Sequence, residues 1–137
     1  MQVYKTKAER LKGTNFHEVH KKAFCIYLKI KRKSKRIPYI KSAYFKKNKV
    51  FLTIFWQHLW DKEKWQDRMR RLKYYAAAID LIQKNKFEPK SKENPNKNDE
   101  ILHRFSGVTK DNYLFYVQIK ENKKSSRKDF ISVFPQE

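Results

Sequence analysis

Only two glycines, Gly13 and Gly107, occur in 137 residues. That excludes a glycine-rich phosphate cradle, and with it P-loop nucleotide hydrolysis, because such a loop needs several residues whose backbone closely approaches the phosphates. The single cysteine, Cys25, excludes an internal disulfide, and together with four widely spaced histidines it makes no ordinary zinc ligand set. There is no paired-carboxylate motif, no His-Glu-x-x-His motif and no concentration of Asp or Glu around a histidine. No metal and no small-molecule cofactor is expected. Apolar runs never approach the roughly 18 residues of a membrane span, and no apolar segment leading to a small-residue cleavage site opens the sequence. The expected location is the cytoplasm, in a reducing environment, with no membrane partner.

Acidic residues are scarce as well. Fourteen Asp plus Glu stand against 34 Lys plus Arg, a net charge of +20 spread along the whole chain. A field of that sign and size attracts polyanions. A disordered basic chain would be poor in aromatics, whereas this one carries 10 Phe, 8 Tyr and 3 Trp, enough to anchor a core and to offer stacking platforms for bases. Codon bias in an AT-rich genome enriches Lys and Asn without selection for binding, but it accounts less well for the shortage of acids. RNA is the expected partner, with binding to a membrane surface as the competing reading. The length suits one domain with one core.

Asn15 followed by Glu18 forms a capping-box pattern, and Phe16, Val19, Ala23, Ile26 and Ile30 then recur at helical spacing. A helix over 15–33 follows, and it ends in a basic knot containing Lys31, Arg32, Lys33, Lys35 and Arg36, closed by Pro38. An extended stretch over 39–45, a turn at 47–49 and a short strand from Val50 come next. Thr53 is expected to cap a helical turn carrying Trp56, His58 and Trp60, and Asp61 to cap one long helix over 61–84. On that helix Trp65, Met69, Leu72, Ala76, Ile79 and Ile82 share a face, and Arg68 and Arg71 are among the basic residues on the rest. Residues 85–98 have almost nothing to bury and read as a flexible surface loop. Three strands over 101–105, 113–120 and 130–134 complete an antiparallel meander, with Gly107 in the first turn. The expected fold is α+β, an N-terminal helix and a long central helix packed on one face of an antiparallel sheet. Residues 1–48 form a basic extension to a core over 49–137.

Strand alternation places Tyr113, Phe115, Val117 and Ile119 with Ile131 and Val133 beneath the helices, and Tyr116, Gln118 and Lys120, with Ser132 between Phe130 and Phe134, on the opposite face. A hydroxyl, an amide and a cation on one surface suit phosphodiester chemistry, although an ordinary solvated face has the same residues. His58 and His103 are candidates for acid-base work, each with a structural alternative, and His17 and His20 read as surface residues.

The segments "WQHLW", "ILHRFSG", "YLFYVQIKE" and "RKDFISVFP", in this order over about residues 50–135, resemble the barnase, EndoU, colicin and RelE-like ribonuclease superfamily, most closely its phage and mobile-element members. The resemblance implies a RelE- or barnase-like fold and a metal-independent endoribonuclease, in which the ribose 2′-hydroxyl attacks the adjacent phosphate and leaves a 2′,3′-cyclic phosphate. It points to His58, His103, Arg104, Lys120 and Ser132 as catalytic positions and to Arg127 as a phosphate contact. Further contacts are expected from Arg32, Lys35 and Arg36 in the knot, Arg68 and Arg71 on the helix, and Lys123 and Lys124 before the last strand. Many relatives are toxins held by an acidic antitoxin or immunity protein, so such a partner is implied too. A non-catalytic nucleic-acid-binding protein and a small accessory protein that covers a partner's nucleic-acid surface remain the alternatives.

Overall fold

The computed structural model describes residues 2–136. Strand β1 (Tyr4–Lys5) leads to helix α1 (Phe16–Lys33), and the Asn15 side chain accepts the Glu18 N–H at 2.9 Å as the capping pattern requires. Strands β2 (Tyr39–Ser42) and β3 (Asn48–Phe51) follow, joined by a tight turn in which Lys46 and Lys47 adopt positive φ. Three helices come next, α2 (Thr53–Trp60), α3 (Trp65–Leu72) and α4 (Tyr75–Lys84). Strands β4 (Lys90–Glu93), β5 (Glu100–Val108), β6 (Leu114–Asn122) and β7 (Lys128–Pro135) end the chain. The fold is α+β, with four helices among the described residues and a curled seven-stranded sheet that forms a half-barrel.

The β5-β6-β7 meander is antiparallel, as the turn pattern predicts, but the whole sheet is mixed. β1 joins β5 in parallel and β3 joins the start of β7 in parallel, so a wholly antiparallel sheet is not what forms. Gly107 lies within β5 and not in a turn, where a Cβ would meet Leu81 Cδ1 at 2.7 Å and the Phe115 ring at 2.8 Å. The segment expected to be a flexible loop, 85–98, contains β4, which pairs antiparallel with β5 from Lys90 opposite Arg104 to Glu93 opposite Ile101. Every residue of β4 is exposed. Backbone pairing holds this strand, and side-chain hydrophobicity cannot reveal such an element.

The expected long helix over 61–84 is interrupted twice. Asp61 ends α2 instead of capping a helix, and the carbonyls left open there are taken by Arg68, whose Nε donates to Lys62 O at 2.7 Å and Nη2 to Trp60 O at 3.3 Å. Nor does Thr53 act as a cap; it is the first residue of α2, behind Leu52. The second break, at Lys73 and Tyr74, follows from burying two consecutive tyrosines. Tyr74 packs on Phe115 at 5.5 Å, while Tyr75 packs on Phe55 and Trp56, each at 5.2 Å. Adjacent side chains on a continuous helix diverge by about 100°. The break also frees the Lys73 carbonyl to accept the Leu11 N–H at 2.7 Å.

One core runs from Val19 in α1 to Val133 in β7. It includes Val19, Ala23 and Tyr27 of the N-terminal helix, which packs on α3, α4 and β2. The expected faces of β7 are corrected by a β-bulge: Gln118 faces Ser132 but Ile119 faces Phe130, so Ile131 is the extra residue. Phe130 is therefore fully buried and stacks on Phe55 at 4.7 Å with 6° between the rings, while Ile131 is half-exposed. Truncating Phe130 to Ala should cost about 3–5 kcal/mol in chemical denaturation. Ile131→Ala should cost about 1 kcal/mol or less. Equal losses would contradict the bulged register.

Candidate functional site

β3 leaves the sheet after pairing Val50 with Lys128 and Phe51 with Asp129, and the chain turns directly into α2. Beyond that point the outer edge of β7 is covered by α2 and α3. A cavity of about 300 Å³ opens where they meet, lined by His58 and Lys62 from α2 and its end, Arg71 from α3, and Gln118, Ser132 and Phe134 from the sheet. Phe55 and Leu59, one turn apart on α2, form its apolar floor, and His58 between them is exposed.

The register extends this cavity across the face away from the core. Lys90, Arg104, Gln118 and Ser132 are directly opposite one another on β4, β5, β6 and β7. Side chains so paired stand on one face within contact range. The row ends on Arg71, whose Nη1 donates to Ser132 Oγ at 2.8 Å and to Val133 O at 3.4 Å. A parallel row holds Ser106, Tyr116 and Phe134. The Arg104 guanidinium sits 5.9 Å from the Tyr116 ring centre and 5.3 Å from that of Phe134. A hydroxyl and an amide thus lie between two guanidinium groups, with an imidazole above one end. Such a set binds an anion of phosphate size and stabilises further negative charge on it.

Arg71 is held in place by Asp67 at 3.3 Å, one turn earlier on α3. Partial burial pushes the Asp67 carboxyl up, but the charge of Arg71 and hydrogen bonds from Arg70 and Arg71 outweigh it and hold the group below its ordinary value. The other expected cations are distributed differently. Lys120 is on the same face but 3.6 Å from Glu100, and Arg127 pairs with Asp129 at 3.3 Å and lies over Phe51. Arg68 stacks on Trp60 at 4.9 Å while bonding the end of α2. Lys123 pairs with Glu93, and Lys124 is exposed in the turn beside it. Arg32, Lys35 and Arg36 are exposed where α1 gives way to β2, at the far edge of the sheet.

His103 is separated from this group. It pairs with Ile119, on the core face, and is buried. Ser91 Oγ is 2.6 Å from its Nδ1 and Glu121 Oε1 is 2.8 Å from its Nε2, with Lys128 beyond Glu121 at 3.6 Å and Phe45 against the ring. His20 is not a free surface residue either, since Phe16, Phe24, Trp56 and Trp60 surround it within 5.8 Å, and burial followed by the charge of His17 lowers its pKa. The structure therefore brings His58, Arg104, Ser132 and Arg71 together, with Lys120 at the margin. Sequence reasoning misses Lys62 and Lys90. Lys90 has no signal to find it by, because its position depends on the pairing of β4.

Among the described residues no three His, Cys, Asp or Glu side chains are grouped to hold a metal ion, and no helix is long and apolar enough to cross a membrane. No family model matches the chain, and no curated protein or solved structure matches it.

The Asp67 shift has a testable sign. A carboxyl depressed in the folded state adds stability that is present above its unfolded value and lost as pH falls through the folded one. The stability difference between the native chain and Asp67→Asn should accordingly be constant at neutral pH and disappear in the acid range below the normal aspartate value. A difference that persists in acid would show that Asp67 does not act through its charge.

Proposed function

We propose that the protein binds RNA across this face and cleaves it, the ribose 2′-hydroxyl attacking the adjacent phosphate to leave a 2′,3′-cyclic phosphate. The observation that carries this reading is the cross-strand row Arg104, Gln118, Ser132 ending on Arg71, with His58 at the same cavity. In that arrangement His58 takes the 2′-hydroxyl proton as the new O–P bond forms. Arg71 and Arg104 offset the charge that develops on the non-bridging oxygens, and Gln118 and Ser132 orient them. The P–O5′ bond breaks, and the departing oxygen takes a proton from solvent at the open mouth. Tyr116 and Phe134 offer rings for the flanking bases.

The antiparallel meander preceded by helices supports a RelE- or barnase-like core, to which β1, β4 and the β2-β3 pair are additions. A toxin role, a phage or other mobile-element setting, a cytoplasmic site of action and an acidic antitoxin or immunity protein rest on that likeness. An acidic partner complements a face whose row carries cations and no acid.

One observation favours a second reading, a basic RNA-binding protein without chemistry: among the described residues a single imidazole, His58, lines the cavity, and Lys120 and Arg127 are already neutralised by carboxylates. Incubation with labelled RNA in EDTA separates the two. Cleavage to cyclic-phosphate ends should fall about 10²–10⁴-fold in His58→Ala. It should fall about 10²–10³-fold in Arg71→Ala. RNA retarded on a gel but left intact by the native protein would establish the binding reading instead.

A further inference from the structure

Two more cavities continue from the candidate site along α3. The first shares Lys62 and Arg71 with it and reaches Gln66 and Arg70, with Lys64 and the carboxylates Asp61, Glu63 and Asp67 also in its wall. The second shares Gln66 and Arg70 with the first and ends at Trp65 and Tyr113, with a volume of about 840 Å³. Neighbouring cavities thus share lining residues in a groove along α3, from His58 to the aromatic pair.

Those two rings are anomalous for side chains with no surface role. Trp65 is 51 % exposed and Tyr113 is 45 % exposed, in a protein whose core takes in most of its large apolar residues. Leaving such surface in water forgoes the gain from burying it. Arg10 lies over Tyr113, 3.5 Å from the ring centre, held there by Asp111 at 3.1 Å, so the ring is fixed in orientation. Arg70 and Lys73 also line the groove. Exposed rings with cations beside them suit an unpaired nucleic-acid strand, since a ring can take a base and a cation a phosphate. A duplex hides its bases and has no use for the rings.

Building on the RNA-cleaving reading, we propose that this groove is a docking track for single-stranded RNA, which carries the strand leaving the reacting phosphate over α3 and stacks its bases on Trp65 and Tyr113. Arg71 and Trp65 are six residues apart on α3, about 9 Å along the axis at 1.5 Å per residue. The substrate is therefore an unpaired segment that extends beyond the cut as far as the aromatic pair.

The test uses the full chain, a fluorescent single-stranded RNA of about ten nucleotides and a dinucleotide that spans only the reacting phosphate. Binding is read by anisotropy and cleavage by chain-end analysis. In Trp65→Ala/Tyr113→Ala, with folding verified by circular dichroism, RNA binding should weaken at least tenfold and KM for the long RNA should rise by a similar factor. Dinucleotide cleavage should stay unchanged, and Trp65→Phe/Tyr113→Phe should restore binding. A double alanine variant that binds the long RNA as the native protein does overturns the track, even if cleavage is normal. Equal weakening toward duplex RNA overturns the single-strand assignment. Loss of binding in the alanine variant, when the native protein cleaves neither RNA, supports the track and refutes the ribonuclease reading alone.

Discussion

The stack of Phe55 on Phe130 is the contact on which the site depends. It is buried, nearly parallel and 4.7 Å between centres, and it joins the start of α2 to the strand at the point where β3 has departed. Together with the packing of Trp56 on Tyr75 and Phe24, it sets the rotation of α2 and so the direction of His58, three residues and almost one turn further on. The same stack requires Phe130 to face the core, whereas strict alternation from Val133 would turn it outward. The bulge at Ile131 absorbs the conflict. Ser132 therefore stays on the outer face beside Gln118 while Phe130 remains inside. A packing demand in the core and the placement of a hydroxyl at the surface are one constraint.

Scarcity of acid gives each carboxylate a definite effect on the surface field. Glu100 neutralises Lys120, Asp129 neutralises Arg127, Asp111 fixes Arg10 and Asp67 fixes Arg71. Lys90, Arg104 and Lys62 have no ion pair among the described residues. The cations therefore divide into those paired within the fold and those left without an ion pair at the surface, and sequence counting cannot separate them. Arg71 is paired but not fully occupied by its partner, because its ion pair to Asp67 leaves a guanidinium N–H for Ser132.

What the sequence made legible follows the same division. Local physics predicted α1 with its Asn15 cap and the three strands of the meander, because their signals lie within a few residues. Alternation along β6 correctly separated Phe115, Val117 and Ile119 from Tyr116, Gln118 and Lys120, but Tyr113, expected on the buried face, precedes the strand and is exposed. The periodic face of 61–84 suggested one helix; the second break meets partners remote in sequence, Leu11 at Lys73 and Phe115 at Tyr74, while the first is closed locally by Arg68 on the carbonyls of Trp60 and Lys62. β4 offered no hydrophobic pattern at all, and with it went Lys90. His103 looked like a neighbour of Arg104 in chemistry as well as in sequence, but a strand sends adjacent side chains to opposite faces. The core face claimed the imidazole and satisfied both of its nitrogens.

Long-range attraction and local positioning are separate properties of this molecule. A charge of +20 spread over the whole chain raises the concentration of any polyanion near the surface, and salt screens it. It does not select a phosphate. Selection requires donors whose directions are set before the ligand arrives, because ordering flexible lysines at the moment of binding consumes much of the energy gained. Arg71 meets that condition through Asp67 and Ser132, and Arg104 through the rings of Tyr116 and Phe134. The exposed knot at the end of α1 has no comparable restraint. On the proposed RNA-binding reading, the distinction gives the knot to capture and the cross-strand row to recognition, even though the knot has the denser charge in the sequence.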